Sequence, residues 1–99
     1  MEFYYPGILE NPHNIVLMFG GENCSACKTL KSKLEDIILL FTGVSFWYVD
    51  VEKHERESKF YEISSLPTLV FLKGGRKVFE MKGAILRPKL IEELSRIFK

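Results

Sequence analysis

The two cysteines of this chain lie at a turn between a strand-like segment and a helix-like segment. Residues 15–19 form a short, wholly apolar run, which is typical of a buried strand, and a pair of glycines ends it. From Cys24 to Phe41 the apolar residues recur mostly at intervals of three or four, which predicts the buried face of a helix. Cys24 and Cys27 therefore fall at the predicted N-terminus of that helix, where backbone N–H groups and the helix dipole favour a thiolate.

The rest of the chain predicts three further strands and two further helices. β-Branched and aromatic residues mark the strands, Gly74-Gly75 predicts a hairpin between the last two, and Pro88 is suited to begin the final helix. Residues 1–14 are broken by two prolines and are expected to be irregular, with at most a short helix or strand. The predicted elements after the first helix are a strand over 44–51, a helix over 52–61, strands over 69–73 and 78–81, and a helix from Pro88 onward.

This order, β-α-β-α-β-β-α, predicts an α/β fold in a single domain over residues 1–99, with its core over about 15–99. The first two strands are joined through a helix and should be parallel, with a right-handed crossover, whereas the last two form an antiparallel hairpin. We expect a mixed sheet of about four strands flanked by helices, after a short N-terminal extension. The cysteine pair would lie at the C-terminal end of the first core strand, where open α/β sheets place their sites.

Composition and charge exclude several classes of function. The formal net charge is +1 with acids and bases interspersed, so nothing predicts a nucleic-acid partner or an anionic membrane surface. No apolar run approaches the roughly 18 residues of a membrane span, and residues 1–6 do not resemble a secretory signal. Two cysteines suit an active pair in a reducing compartment, so we expect a cytoplasmic protein, and we expect a monomer because no apolar surface is left unexplained.

Four stretches of the chain resemble the thioredoxin family, and the resemblance extends over most of residues 15–99. The segment Cys24–Lys28 resembles the family's redox motif, and Tyr48–Glu52 resembles the strand after its first long helix. Residues 63–69 with 71–75 resemble its cis-proline loop and hairpin, and residues 82–84 its closing segment. The resemblance implies a thioredoxin fold and a thiol–disulfide oxidoreductase that reduces protein disulfides. Because the N-terminal region is short, the family's extra first strand should be reduced or missing.

The resemblance also assigns roles to individual residues. Cys24 would be the nucleophile that attacks a substrate disulfide, and Cys27, one turn into the helix and more buried, would resolve the mixed disulfide. Pro67 would be cis and lie beside the dithiol, so that the backbone of Leu66 would pair with an extended substrate segment. The implied partners are disulfide-containing protein substrates and a thioredoxin reductase-type electron donor, and no cofactor or metal is implied.

Two positions depart from the family's pattern beneath the dithiol. Met18 stands where thioredoxins carry a buried aspartate that assists deprotonation of the second cysteine. Tyr48 stands where the accompanying lysine is found. These replacements predict an apolar site and slower attack by Cys27, unless another base such as Glu22 or Asp50 assists it.

Other departures leave the direction and type of chemistry open. Asn23 replaces a common tryptophan, and Ser25-Ala26 replaces Gly-Pro between the cysteines, so the reduction potential is not predicted. Glutaredoxin-like or isomerase-like activity on the same fold is one alternative, and a non-catalytic binding module with a vestigial or metal-linked dithiol is another. A zinc site needs four ligands, and the remaining soft ligands, His13 and His54, lie far from the motif in sequence.

Overall fold

An apolar strand over Ile15–Gly20 runs through the middle of the sheet and is buried along its whole length. The computed structural model describes residues 1–11 and 13–99, so Pro12, within the segment expected to be irregular, lies outside the described residues. The strands are β1 (Glu2–Phe3), β2 (Ile15–Gly20), β3 (Ser45–Asp50), β4 (Thr68–Lys73) and β5 (Arg76–Lys82). The helices are α1 (Ser25–Ile37), α2 (Glu55–Phe60) and α3 (Arg87–Phe98), with 3-10 helices over Pro6–Glu10 and Ile38–Leu40.

The sheet order is β1-β3-β2-β4-β5, and the register brings the loops after β2 and β3 and the loop before β4 to one edge. β2 is parallel to β3, with Gly20 opposite Asp50, and antiparallel to β4, with Phe19 opposite Thr68. β4 and β5 form the antiparallel hairpin that the glycine pair predicts. The ends of β2 and β3 and the start of β4 therefore lie side by side, where the loop to α1 begins.

Alternate residues of β2 contribute to two separate apolar cores, which explains why its sequence shows no polar alternation. We call the side covered by α1 and α3 the dithiol face, since Cys27 belongs to its core with Val16 and Met18 of β2. We call the other side, covered by α2 and the N-terminal 3-10 helix, the N-terminal face. Its core contains Tyr4, Ile8, Ile15, Leu17, Phe19, Val49, Tyr61, Val70 and Leu72.

The α/β class and the predicted order of the main elements are confirmed, and the strand count is corrected from about four to five. The additional strand is β1, which has only two residues and pairs in parallel with β3. The backbone N–H of Tyr4 continues this pairing by donating to the carbonyl of Tyr48 at 2.9 Å. The family's first strand is thus reduced rather than missing, because the buried Tyr4 ties the segment to the sheet.

Some element boundaries also differ from those that the sequence predicts. α2 begins at Glu55 rather than 52, because the backbone N–H groups of Lys53 and His54 donate to the carbonyl of Asp50 in a turn. The first helix ends at Ile37 and continues only as a 3-10 turn. β5 extends over Arg76–Lys82, beyond the predicted 78–81. No helix among residues 1–11 and 13–99 has the length and apolar character needed to span a membrane.

Candidate active site

Cys24 caps the N-terminus of α1, and its sulfur accepts a hydrogen bond from the backbone N–H of Cys27 at 3.1 Å. The two residues form a disulfide bond, with Cα atoms 5.2 Å apart. Cys27 is fully buried in the core of the dithiol face, whereas Cys24 is half-buried. The sulfur that a substrate reaches more easily is therefore that of Cys24.

The start of α1 is electrostatically suited to an anion. A helix leaves its first backbone N–H groups without partners inside the helix, and these groups carry partial positive charge. The first turn contains no acidic residue, and Lys28 follows Cys27 directly. Together these groups stabilise a thiolate at Cys24 in the reduced protein relative to the neutral thiol.

The loop before β4 brings Leu66 and Pro67 to the same edge of the sheet. The Leu66–Pro67 peptide bond is cis, as expected, and Pro67 precedes Thr68, the residue opposite Phe19 at the end of β2. The Pro67 carbonyl accepts the N–H of Gly83 at 2.9 Å, which connects this loop to the segment after β5. A Cβ atom on Gly21 would lie 3.4 Å from Cδ1 of Leu66, so the loop before Cys24 and the cis-proline loop are in contact.

The backbone of Leu66 takes no part in the hydrogen bonding of the sheet. The residue lies outside every strand and helix, and among the described residues no backbone hydrogen bond involves its N–H or its carbonyl. Its side chain is half-buried and packs against both apolar cores. An extended segment placed along this loop would find an unpaired donor and acceptor close to the dithiol.

Met18 contributes apolar atoms to the core that contains Cys27. It is fully buried, lies opposite Tyr48 and Leu69 in the register, and shares the dithiol-face core with Cys27. A thioether neither donates nor accepts a proton at ordinary pH. Thioredoxins carry a buried aspartate at this position, whereas Met18 supplies no base to Cys27.

Tyr48 has a structural role at the site that the sequence did not reveal. A Cβ atom on Gly20 would lie 2.8 Å from Cζ of Tyr48, so the ring occupies the space left by this glycine. The Tyr48 hydroxyl lies 3.5 Å from the Gly21 carbonyl, at the limit of a hydrogen bond. Burial, and to a lesser extent Asp50, raises the pKa of Tyr48. The side chain thus fixes the start of the loop that carries Cys24, a contact between residues 28 positions apart that no local pattern signals.

The two acids proposed as alternative bases lie at the same edge of the sheet. Asp50 is opposite Gly20, but its Oδ1 accepts the backbone N–H of Glu52 at 2.9 Å, which assigns it to the turn after β3. Glu22 is exposed on the loop before Cys24. Of the two histidines, His54 packs edge-on against Tyr4 and His13 lies 2.8 Å from the Ser45 hydroxyl, at the start of β3.

Comparison with known proteins places this site in a family. The thioredoxin family model matches residues 3–96. Over 69 residues the chain is 36% identical to thioredoxin H8 of Arabidopsis thaliana, and this match covers 70% of the chain but only 47% of that relative. Over 82 residues it is 30% identical to a thioredoxin of Chlamydia trachomatis, covering 83% of the chain and 80% of the relative.

Solved structures agree with the sequence relatives. The thioredoxin of Fasciola hepatica superposes with a TM-score of 0.80 at 31% identity, covering 90% of this chain and 84% of the other. The oxidised mitochondrial thioredoxin 3 of Saccharomyces cerevisiae superposes with a TM-score of 0.83 over 92% of this chain and 85% of the other, and at 23% identity it supports the fold alone. The chain thus belongs to the thioredoxin family and carries that family's thiol–disulfide oxidoreductase site as its Cys24–Cys27 pair.

Proposed function

We propose that this protein reduces disulfide bonds of protein substrates, with Cys24 as the attacking thiolate and Cys27 as the resolving thiol. The Cys24 thiolate attacks one substrate sulfur, the substrate disulfide breaks, and one substrate thiolate leaves. The Cys27 thiolate then attacks Cys24, releases the second substrate thiolate and closes the Cys24–Cys27 disulfide. The substrate gains two electrons, and the protein loses two.

One observation carries this proposal: the accessible sulfur caps a helix, and its partner is buried one turn away. The unpaired backbone of Leu66, beside Pro67, would hold the substrate segment as an added strand. A thioredoxin reductase-type enzyme would return the two electrons, with no cofactor bound to this chain. We place the reaction in the cytoplasm, where a reducing poise suits a reductant, and we assign it to a monomer in which residues 1–99 act as one domain.

A trapping experiment tests the assigned roles. Cys27→Ser should accumulate mixed disulfides between Cys24 and its substrates, and Cys24→Ser, the matched control, should accumulate none. In the wild type, we expect the Cys24 thiol to have a pKa below about 8.5, the value of an unperturbed cysteine. If Cys27→Ser traps nothing and the Cys24 pKa is ordinary, the chain is a binding module and not an enzyme.

The reduction potential of the pair decides the direction of exchange. Equilibration with dithiothreitol and glutathione buffers, followed by quantification of thiols, measures it directly. A potential near about −270 mV supports a thioredoxin-type reductant, whereas about −200 mV or higher favours the glutaredoxin-like or isomerase-like alternative.

A further inference from the structure

A cavity of about 230 Å³ opens beside the loop that leads to Cys24. Gly21 and Glu22 of that loop form part of its wall. The remaining wall brings together side chains of three other segments, namely β1, α1, and the end of β3 with the turn that follows it. The proposed mechanism does not use this cavity, although Glu22 of its wall is only two positions before Cys24 in the sequence.

Three lysines and two aromatic rings dominate the wall: Phe3, Lys28, Lys31, Tyr48 and Lys53. The Lys31 ammonium lies 5.3 Å from the centre of the Tyr48 ring and 5.7 Å from that of Phe3. The Lys53 ammonium lies 6.0 Å from the Phe3 ring centre. Cation–π attraction at these distances holds both ammonium groups against the cavity wall.

None of these lysines is neutralised by an ion pair. Among the described residues, no carboxylate forms a salt bridge with Lys28, Lys31 or Lys53. Lys31 and Lys53 both lie against the Phe3 ring, so their ammonium groups repel each other, and no salt bridge within the described residues offsets this repulsion. An anion bound in the cavity would relieve this repulsion.

The two carboxylates of the wall do not cancel its positive charge. Asp50 directs Oδ1 to the backbone N–H of Glu52, and Glu22 is exposed on the loop. Three ammonium groups and two carboxylates leave one net positive charge, to which the N-terminus of α1 adds. Aromatic walls of low polarity strengthen the field that an entering charge meets.

We propose that this cavity receives an acidic side chain of the substrate polypeptide and so selects disulfides with acidic flanks. The proposal rests on the proposed function, since it names the substrate class of the same site. A Cβ atom on Gly21 would lie 3.4 Å from Cδ1 of Leu66, and Gly21 also lines the cavity, so the loop before Cys24 borders both the cis-proline loop and the cavity. Because an extended chain advances about 3.3 Å per residue, the substrate residues tested for this contact are those within about three positions, or about 10 Å, of the substrate cysteine.

The first test compares disulfide peptides that differ only in the residues flanking the cysteines, which are aspartates, serines or lysines. We measure the second-order rate constant for their reduction by the reduced protein. We expect the acidic peptide to react about 3- to 10-fold faster than the serine peptide at low ionic strength, and the lysine peptide to react more slowly. The difference should shrink severalfold when ionic strength rises to about 0.5 M, because screening shortens the reach of the charges.

Two charge reversals assign the effect to the cavity. Lys53→Glu should lower the rate for the acidic peptide by about threefold and raise it for the lysine peptide. Lys59→Glu is the matched control, because Lys59 is an exposed residue of α2 outside the cavity and the change in net charge is the same. Both variants should reduce the uncharged bis(2-hydroxyethyl) disulfide as fast as the wild type.

The outcomes separate this proposal from the function on which it rests. If the wild type reduces neither the uncharged disulfide nor any of the three peptides, the proposed function itself is wrong. If it reduces that probe but reduces all three peptides equally, or if the two reversals behave alike, acidic selection by the cavity is overturned and the function stands. Faster reduction of glutathione disulfide than of the uncharged disulfide, without any preference among the peptides, would also overturn acidic selection. The cavity would then be a site for small anions.

Discussion

The two faces of the central sheet differ in the polar groups that are buried in their cores. On the dithiol face, Met18 and Leu30 surround Cys27 with apolar atoms. Apart from aromatic residues, the buried side chains among the described residues that are polar or charged are Thr68 and Glu93. Glu93 lies on α3 and is paired with Lys89 and Arg96, so it is not a candidate base for the dithiol.

The N-terminal face, by contrast, contains aromatic side chains whose polar atoms are buried. The hydroxyl of the buried Tyr4 donates to Glu57 at 2.9 Å. Trp47 has a buried indole N–H that finds no partner among the described residues. Among the described residues, no other buried side-chain nitrogen or oxygen lacks a partner.

This difference indicates how the site handles protons. Among the described residues, the buried core around Cys27 contains no side chain that takes up a proton at ordinary pH, so the Cys27 proton would leave toward the exposed end of α1, where Cys24 and solvent lie. Reactivity would then depend on the helix N-terminus and on Lys28 more than on a buried base. The predictions below disturb one face at a time, beginning with the largest effect.

Met18→Asp should have the largest effect, because it buries a carboxyl on the dithiol face. We expect a loss of about 5 kcal/mol in the free energy of unfolding at pH 7, measured by urea denaturation of the oxidised protein. Burial raises the pKa of the new carboxyl, so the unfolded state ionises first and the loss grows as pH rises above about 4.

Met18→Asn is the matched control, since it is polar but has no titrating proton. Its loss of stability should not depend on pH over the same range. If resolution of the mixed disulfide becomes faster in the aspartate variant alone, the missing base limits turnover in the wild type. A deficit in Met18→Asp that stays constant from pH 4 to pH 8 would contradict an apolar dithiol face.

Truncating one leucine on each face should separate stability from reactivity. Leu30→Ala and Leu72→Ala each empty a buried site, and each should cost about 3 kcal/mol of unfolding free energy. Leu30 is one helical turn from Cys27, so only Leu30→Ala should also change the reduction potential of the dithiol. Equilibration with dithiothreitol measures that potential, and an equal shift in both variants would show that the faces are coupled.

The sequence predicts the parts of this molecule that rest on local patterns. The apolar run of β2, the stripe of α1 and the Gly74-Gly75 hairpin each follow from periodicity or turn chemistry, and all are present. The sequence allows a short strand within residues 1–14 but does not locate β1, because two residues cannot show a period. It forms because β3 offers a free edge and because Tyr4 is buried nearby.

The contacts around the dithiol divide in the same way. The cysteine pair and Pro67 could be predicted from the sequence because the resemblance depends on short motifs. The packing of Tyr48 against Gly20 is not legible, since each residue has an adequate local explanation, as a strand residue and as a turn residue. Only the register between β2 and β3, which places Asp50 beside Gly20, brings the two together.

Gly20→Ala tests this packing at the junction of the site and the sheet. The added Cβ meets the ring of Tyr48, so we expect a loss of about 2 kcal/mol in unfolding free energy. The matched control is Gly43→Ala, because no described residue other than its two chain neighbours has an atom within 4 Å of a Cβ at that position. In a Tyr48→Ala background, Gly20→Ala should cost at least about 1 kcal/mol less, and strict additivity would refute the contact.

The smallest expected effect is a loss of stability at alkaline pH that involves the N-terminal face. Burial and the carboxylate of Glu57 raise the pKa of Tyr4 above its ordinary value of 10.0. The unfolded chain therefore releases this proton at a pH where the folded chain retains it, so stability falls as pH rises above about 10. Each such tyrosine contributes at most about 1.4 kcal/mol per pH unit, and the pKa values of Tyr48 and Tyr61 are raised as well.

Tyr4→Phe removes one of these contributions and should make the alkaline decline shallower, as measured by urea denaturation between pH 9 and pH 11. Glu57→Gln retains an acceptor without the charge, so its slope should lie between those of Tyr4→Phe and the wild type. If all three slopes are equal, Tyr4 makes no contribution to the decline. Tyr48, which packs against the dithiol-face core, and Tyr61 on the N-terminal face would then account for it. Tyr61→Phe would decide between them, because a slope unchanged in that variant would make the dithiol face the alkali-sensitive one.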